Sequence, residues 1–215
     1  MTVRRIGPDD VPAVVGLVRE LAEYERAAHE VRLSEEQLTA ALFGDSAKLF
    51  GHVATDGGAV VGMALWFLNF STWRGTHGIY LEDLYVQPRH RGSGLGRELL
   101  RTLAELCVER GYDRLEWAVL DWNAPAIGFY DQLGAAAMDE WTVRRLTGEA
   151  LQEVRGPGQG LALVHQDAVH VGEPALGRSA LQAHGTRRSA AKPGRASSVS
   201  RKTVHSSIGT APAAL

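Results

Sequence analysis

Cysteine is nearly absent: Cys107 is the only one in 215 residues. A lone thiol permits no internal disulfide and no cysteine-rich metal site. Its place on an apolar helical face marks it as a core thiol rather than a nucleophile. Aromatic residues make up only 7% of the chain, and none follows Arg155. The longest apolar run, Ala59 to Leu68, is too short to cross a bilayer. No signal-peptide apolar core opens the chain, so a cytoplasmic protein is expected.

Overall, 23 basic residues face 25 acidic ones, but their distribution is uneven. Residues 1–154 hold 15 Lys and Arg against 23 Asp and Glu, a balance of −8. Residues 155–215 hold 8 against 2, a balance of +6. The acidic part disfavours nucleic acid as its partner and attracts a cationic substrate. After Arg155, Gly, Ala, Ser, Pro, Arg and His dominate without apolar periodicity. Such a segment cannot offset its ordering entropy, so a disordered basic tail over 155–215 is expected. Its charges are scattered, which argues against nucleic acid or membrane as its target. Its histidines, His165, His170, His184 and His205, lack metal-ligand spacing, and no metal is expected anywhere. The folded domain is read as 1–154.

Along that domain, Thr2–Ile6 reads as a strand and Val11–Tyr24 as a helix, with Val14, Leu17, Val18 and Leu21 at helical spacing. Glu20, Glu23 and Glu25 near its end form either a solvated face or a group aimed at a cation. Ser34–Gln37 is a capping-box pattern opening a short helix. Leu49–Thr55 and Ala59–Phe70 read as strands joined by an Asp56-Gly57-Gly58 turn. Gly78–Val86 is a central strand, followed by a helix ending at Arg110 with Gly111 as its cap. Tyr112–Leu120 reads as a strand parallel to the central one. Asn123 caps a helix through Leu133. Ala137–Leu146 reads as a last strand, and Thr147–Val154 as a short helix.

The central strand leads into Arg91-Gly92-Ser93-Gly94-Leu95-Gly96-Arg97. Three glycines between a strand and a helix allow a tight turn and close ligand approach. Free N–H groups and the helix dipole there suit a pyrophosphate. No Lys-Ser or Lys-Thr follows, so this is not a nucleotide P-loop. The glycine spacing also departs from the dinucleotide fingerprint.

The Arg-x-x-Gly-x-Gly pattern resembles the coenzyme A pyrophosphate motif of the GNAT superfamily of N-acetyltransferases. The element order matches that superfamily. Tyr80–Val86, Leu21–Glu25, Phe70–Trp73 and Asp121–Tyr130 are similar to its diamine branch, the spermidine/spermine and thialysine acetyltransferases. The resemblance covers residues 1–154. It implies the GNAT α/β (α+β) fold: a mixed sheet of six to seven strands, helices on both faces, and a splayed parallel strand pair. It also implies acetyl transfer from acetyl-CoA to a small cationic amine by direct attack in a ternary complex, and a homodimer in which the last strand serves as a contact or exchange element.

The resemblance assigns Glu82 to the amine proton and Tyr130 to protonating the departing thiolate. Strand alternation puts Glu82 and Asp83 on opposite faces, and the family match favours Glu82. Leu84, Tyr85 and Val86 would offer main-chain groups to the pantetheine arm. Arg91, Gly92, Ser93, Gly94, Leu95, Gly96 and Arg97 would take the pyrophosphate. Asn123 and Ala126 would meet the coenzyme from the other side, with Asn123 a helix cap, a coenzyme contact or both. Tyr24 and Glu25 match acceptor-site positions. Glu116, Trp117, Asp139 and Trp141 are further candidates for that cleft. Alternation separates Glu116 from Trp117, and Trp141 fits a core role equally well. Other acceptors (a protein N-terminus, a protein lysine or an aminoglycoside) and a non-catalytic acyl-CoA binding module remain open on these residues.

Overall fold

A computed structural model describes residues 1–155. The tail expected beyond, with its histidines, lies outside the described residues. The elements run β1 (Thr2–Arg5), α1 (Val11–Tyr24), α2 (Glu35–Phe43), β2 (Phe50–Asp56), β3 (Ala59–Ser71), β4 (Thr76–Val86), α3 (Leu95–Arg110), β5 (Leu115–Glu116), α4 (Ala124–Gln132) and α5 (Gly148–Arg155). Met1–Arg145 forms one compact unit. Helix α5 belongs to a second unit and is a helix in its own right.

The local signals have visible causes. Ser34 Oγ accepts from Gln37 N (3.2 Å) while Gln37 Oε1 accepts from Ser34 N (2.9 Å), closing the capping box of α2. Gly57 and Gly58 both take positive φ, +55° and +87°, as a two-residue hairpin turn requires. Helix α3 stops at Gly111, whose φ of +67° no β-branched residue would tolerate cheaply.

Among the described residues the sheet has five strands in the order β1-β2-β3-β4-β5. The first four pair antiparallel, and β5 runs parallel to β4. Two apolar layers enclose it, on opposite faces. One contains Ile79, Leu81 and Val86 of the sheet with Leu99, Leu103 and Cys107 of α3 and Phe129 of α4. The other joins Val53, Met63, Leu65 and Tyr85 to Val14, Val15 and Leu17 of α1 and Leu38 of α2. The mixed sheet between helical layers is the expected architecture, with fewer strands than expected.

The missing strand is Ala137–Leu146. Among the described residues it pairs with nothing, and Trp141 and Val143 are 69% and 78% exposed. Its alternating pattern is real, but a strand forms only against a neighbour's free backbone groups. Strand β5 is two residues long rather than the nine expected over Tyr112–Leu120, so that edge offers almost no partner groups.

Two irregularities shape the middle of the sheet. Strand β5 pairs with β4 only at Ile79↔Leu115 and Tyr80↔Glu116. From Leu81 to Val86 no strand among the described residues borders that edge of β4, which is the splay expected of the parallel pair. In addition, Leu65 pairs with Asp83 but Trp66 pairs with Leu81, so Glu82 is an extra residue in a β-bulge. The bulge reverses the alternation. Ile79 and Leu81 pack toward α3, and so do Leu84 and Val86 beyond it, while Tyr85 turns toward α1.

Candidate active site

The bulge, the splay and two helix ends converge on one region. Asp83 follows the bulge and is half-buried. Burial, with the Glu82 and Glu25 charges adding to it, pushes its carboxyl up to about 6. Glu82 itself is exposed. Alternation therefore does not divide these two acids as a regular strand would, because Glu82 stands at the break and its charge acts on Asp83. Glu25 follows the last residue of α1, is half-buried, and has its own carboxyl raised by burial. Among the described residues, no Lys, Arg or His forms an ion pair with Glu25, Glu82 or Asp83.

Tyr130 stands on α4. Its ring lies 4.9 Å from Trp117 and 5.4 Å from Phe129, which fix it against the α3-side layer. Burial, then the Glu25 charge, raises its hydroxyl to about 12. The Glu25 charge bears on both Asp83 and Tyr130, so the end of α1, the bulge of β4 and α4 lie near one another.

The glycine-rich turn runs from Gln87 into α3. Gly92 and Gly94 take φ of +76° and +89°, and a Cβ at either would meet nothing. Conformation requires glycine here, and the space beside the backbone stays open. Leu95 is buried and anchors the first turn of α3, while Ser93 and Arg97 are exposed. Gly96 faces Phe129, with a built Cβ only 3.7 Å from its Cζ. Open backbone donors at the start of a sixteen-residue helix fit a pyrophosphate. The unbordered edge of β4 at Leu84, Tyr85 and Val86 fits an extended pantetheine chain.

Arg91 does not point outward as the motif suggests. Its Nε donates to the Val86 carbonyl (3.0 Å), and its guanidinium lies over the rings of Tyr24 (5.0 Å) and Tyr85 (5.6 Å). Asn123 is buried and caps α4, accepting from Ala126 N (3.3 Å). It also accepts from the Tyr24 hydroxyl (3.0 Å). Ala126 is buried beside it.

The remaining candidates stand differently. Glu116 Oε2 lies 2.9 Å from Arg114 Nε and accepts from Asn69 Nδ2 (2.6 Å), tying β5 to β3. Trp117 turns to the opposite face, against Tyr130. Asp139 lies exposed in the segment that forms no strand. Sequence reasoning passed over Asp83, and also Trp122, whose ring lies under Arg26 (5.4 Å) and meets Tyr24 (5.9 Å) at a tilt of 50°. The signal for Asp83 was present: Ile79, Leu81, Leu84 and Val86 break period two by one residue. Among the described residues no group of His, Cys, Asp or Glu is arranged for a metal, and no helix is long and apolar enough to cross a membrane.

Comparison with known proteins identifies the family. Residues 15–135 match the model of the acetyltransferase (GNAT) family. A thialysine N-epsilon-acetyltransferase of Bos taurus is 39% identical over 165 residues, covering 72% of this chain and 96% of that protein. An L-ornithine N5-acetyltransferase of Arabidopsis thaliana is 42% identical over 95 residues, 44% of this chain and 42% of that one. Among solved structures, an integron cassette protein from V. cholerae superimposes with a TM-score of 0.62 at 25% identity, covering 72% and 97% of the two chains. The chain belongs to the GNAT family and is an N-acetyltransferase.

Proposed function

We propose that this enzyme transfers the acetyl group of acetyl-CoA to a primary amine of a small cationic acceptor, a lysine-like amine or a polyamine, within a ternary complex. The single observation that carries the acceptor class is the set Glu25, Glu82 and Asp83, whose charges bear on one another, with no basic side chain among the described residues paired to them. A group of carboxylates without a cationic partner favours a bound cation. The names of the relatives, thialysine and ornithine acetyltransferases, support small amino-acid amines within that class.

The chemistry follows from the charges. A primary amine of pKa near about 10.4 arrives as an ammonium and must lose a proton before attack. The Glu82–Asp83 pair holds the ammonium and takes that proton, directly or through water. Asp83, raised to about 6, is a better proton acceptor than an ordinary carboxylate. The amine lone pair then forms the C–N bond at the thioester carbonyl, and main-chain donors along the free edge of β4 stabilise the oxyanion. The C–S bond breaks, the sulfur takes its proton from Tyr130, and the second proton lost by the acetylated nitrogen returns through water to the Tyr130 phenolate.

At about 12, the Tyr130 hydroxyl stays protonated throughout the neutral range. Full transfer to a thiolate of pKa about 8.5 is uphill from there. A second cationic group on the acceptor, neutralising Glu25, reduces that gap. The reading includes a catalytic domain over 1–154 and a homodimer, which the exposed apolar residues Met138, Trp141 and Val143 support. A cytoplasmic location is also part of the reading.

The test is CoA-thiol release with spermidine, spermine, putrescine, lysine, thialysine, ornithine and a lysine-containing peptide. Turnover on a free amine is expected. Turnover on the peptide alone would move the acceptor to proteins.

A further inference from the structure

Three consecutive residues at the end of α1 attach to three different parts of the site. Tyr24 supports Arg91 of the glycine-rich turn and bonds to Asn123 at the start of α4. Glu25 acts on Asp83 and Tyr130. Arg26 takes a φ of +62°, uncommon outside glycine, and lies over Trp122. Tyr24 was assigned above to the acceptor amine. Its hydrogen bond and its ring face are instead both engaged inside the protein.

The two attachments divide between the ring and the hydroxyl. The ring of Tyr24 and the ring of Tyr85 together form the seat of the Arg91 guanidinium, whose Nε holds the end of β4. The hydroxyl fills one acceptor position of Asn123 Oδ1, and Ala126 N fills the other. Asn123 is buried, so losing the Tyr24 hydroxyl leaves one lone pair of Oδ1 unfilled and the amide held by Ala126 N alone.

We propose that Tyr24 is a positioning residue: through Arg91 and Asn123 it holds the coenzyme turn and the N-terminus of α4 at one separation, so that the thioester and Tyr130 meet in register. This rests on the acetyl-transfer reading above. Misplacement of reacting groups by about 1 Å costs on the order of a hundredfold in rate, so a modest loosening is kinetically visible.

The experiment uses the full chain, with steady-state kinetics on the best amine and titration of CoA by calorimetry. Tyr24→Phe keeps the ring and loses the hydroxyl. Its kcat is expected to fall about tenfold, as loss of about one hydrogen bond allows, with CoA affinity and amine KM within about twofold of wild type. Tyr24→Ala also removes the seat of Arg91, and CoA affinity is expected to weaken about tenfold. Tyr24→Ala and Arg91→Lys act through one contact, so the double variant should bind CoA no more weakly than the poorer single variant.

A rise in amine KM alone in Tyr24→Phe would make Tyr24 an acceptor contact and overturn the proposal. So would additive losses in the double variant, or wild-type CoA affinity in Tyr24→Ala. Should Tyr24→Ala not fold, Tyr24→Leu replaces it in the cycle. A wild-type protein that binds CoA yet turns over no amine would overturn the proposed function. The role of Tyr24 would then be decided by the binding cycle.

Discussion

The ring of Trp117, the residue just past the short parallel strand β5, lies 4.9 Å from that of Tyr130, tilted by 54°, on the helix that carries the proposed acid. The contact leaves the hydroxyl end free for chemistry while the ring is held. Tyr130→Phe keeps that packing and removes only the proton. Its kcat is expected to fall by about a hundredfold or more, the range of a general acid, with acetyl-CoA affinity within about twofold. Thiol release and CoA titration on the same preparation check this. Unchanged turnover would remove Tyr130 from the mechanism.

Asp83 gives the activity an acid limb. Its carboxyl is neutral below about pH 6, so kcat/KM should fall as pH drops through that value. In Asp83→Asn the limb near pH 6 should be gone and the plateau lower. An identical limb in the variant would assign it elsewhere.

The same group sets a stability balance with His52. His52 is buried and accepts from Trp66 Nε1 (3.2 Å), and burial, then the Arg5 charge, lowers it to about 4. Unfolded, it binds a proton below about 6.5. Its contribution is therefore full above pH 6.5 and is lost as pH falls toward 4. Asp83 runs the other way. Raised from 3.8 to about 6, it favours the fold at low pH, and that contribution is lost as pH rises through about 6. Removing Asp83 should expose the His52 trend. The unfolding free energy of Asp83→Asn should then climb more steeply with pH between 4 and 6.5 than that of wild type, by up to about 3 kcal/mol across the range. Urea titrations at four pH values measure it. Parallel curves for the two proteins would refute it.

Much of the fold was legible where its cause is local. Ser34 with Gln37, the Gly57-Gly58 turn, Gly111 and Asn123 each solve a backbone problem within a few residues. What was not legible depends on distant partners. Ala137–Leu146 alternates properly but has no edge to join. Arg91 belongs to a phosphate motif, yet its guanidinium is claimed by Tyr24, far away along the chain. Asp83 was set aside by a rule of regular strands that fails at a bulge, and the bulge is created by the register with β3.

Gly78 shows a steric requirement of the kind no local pattern reveals. A Cβ there would stand 2.6 Å from both Arg114 Cγ and Asn69 Oδ1. Asn69 Oδ1 is already buried without a hydrogen-bond partner. Gly78→Ala should displace the Asn69–Glu116–Arg114 group and cost about 1–3 kcal/mol, the range of core overpacking. A thermal midpoint within a degree of wild type would contradict this.

The glycines of the turn should separate cleanly. Gly94→Ala forces a side chain to a φ of +89° in open space, so it should cost about 1–3 kcal/mol through strain alone. Gly96→Ala meets only an ordinary contact with Phe129 and sits in the first turn of α3, where alanine is the better helix former. Its apo stability should equal or exceed wild type. Thermal denaturation of both variants without coenzyme checks the pair, and equal losses would refute the distinction.

The single extra residue at Glu82 sets the destination of everything after it in β4. Substitutions along β4 alter one side chain at a time, whereas pairing the same residues with β3 in unbroken register would exchange the destinations of all that follow. Asp83 and Tyr85 would then face the oily layer beneath α3, and Leu84 and Val86 would face the helix that carries Glu25. The strand would keep its composition and lose its meaning, so the bulge is as much a part of the proposed site as the carboxylates themselves.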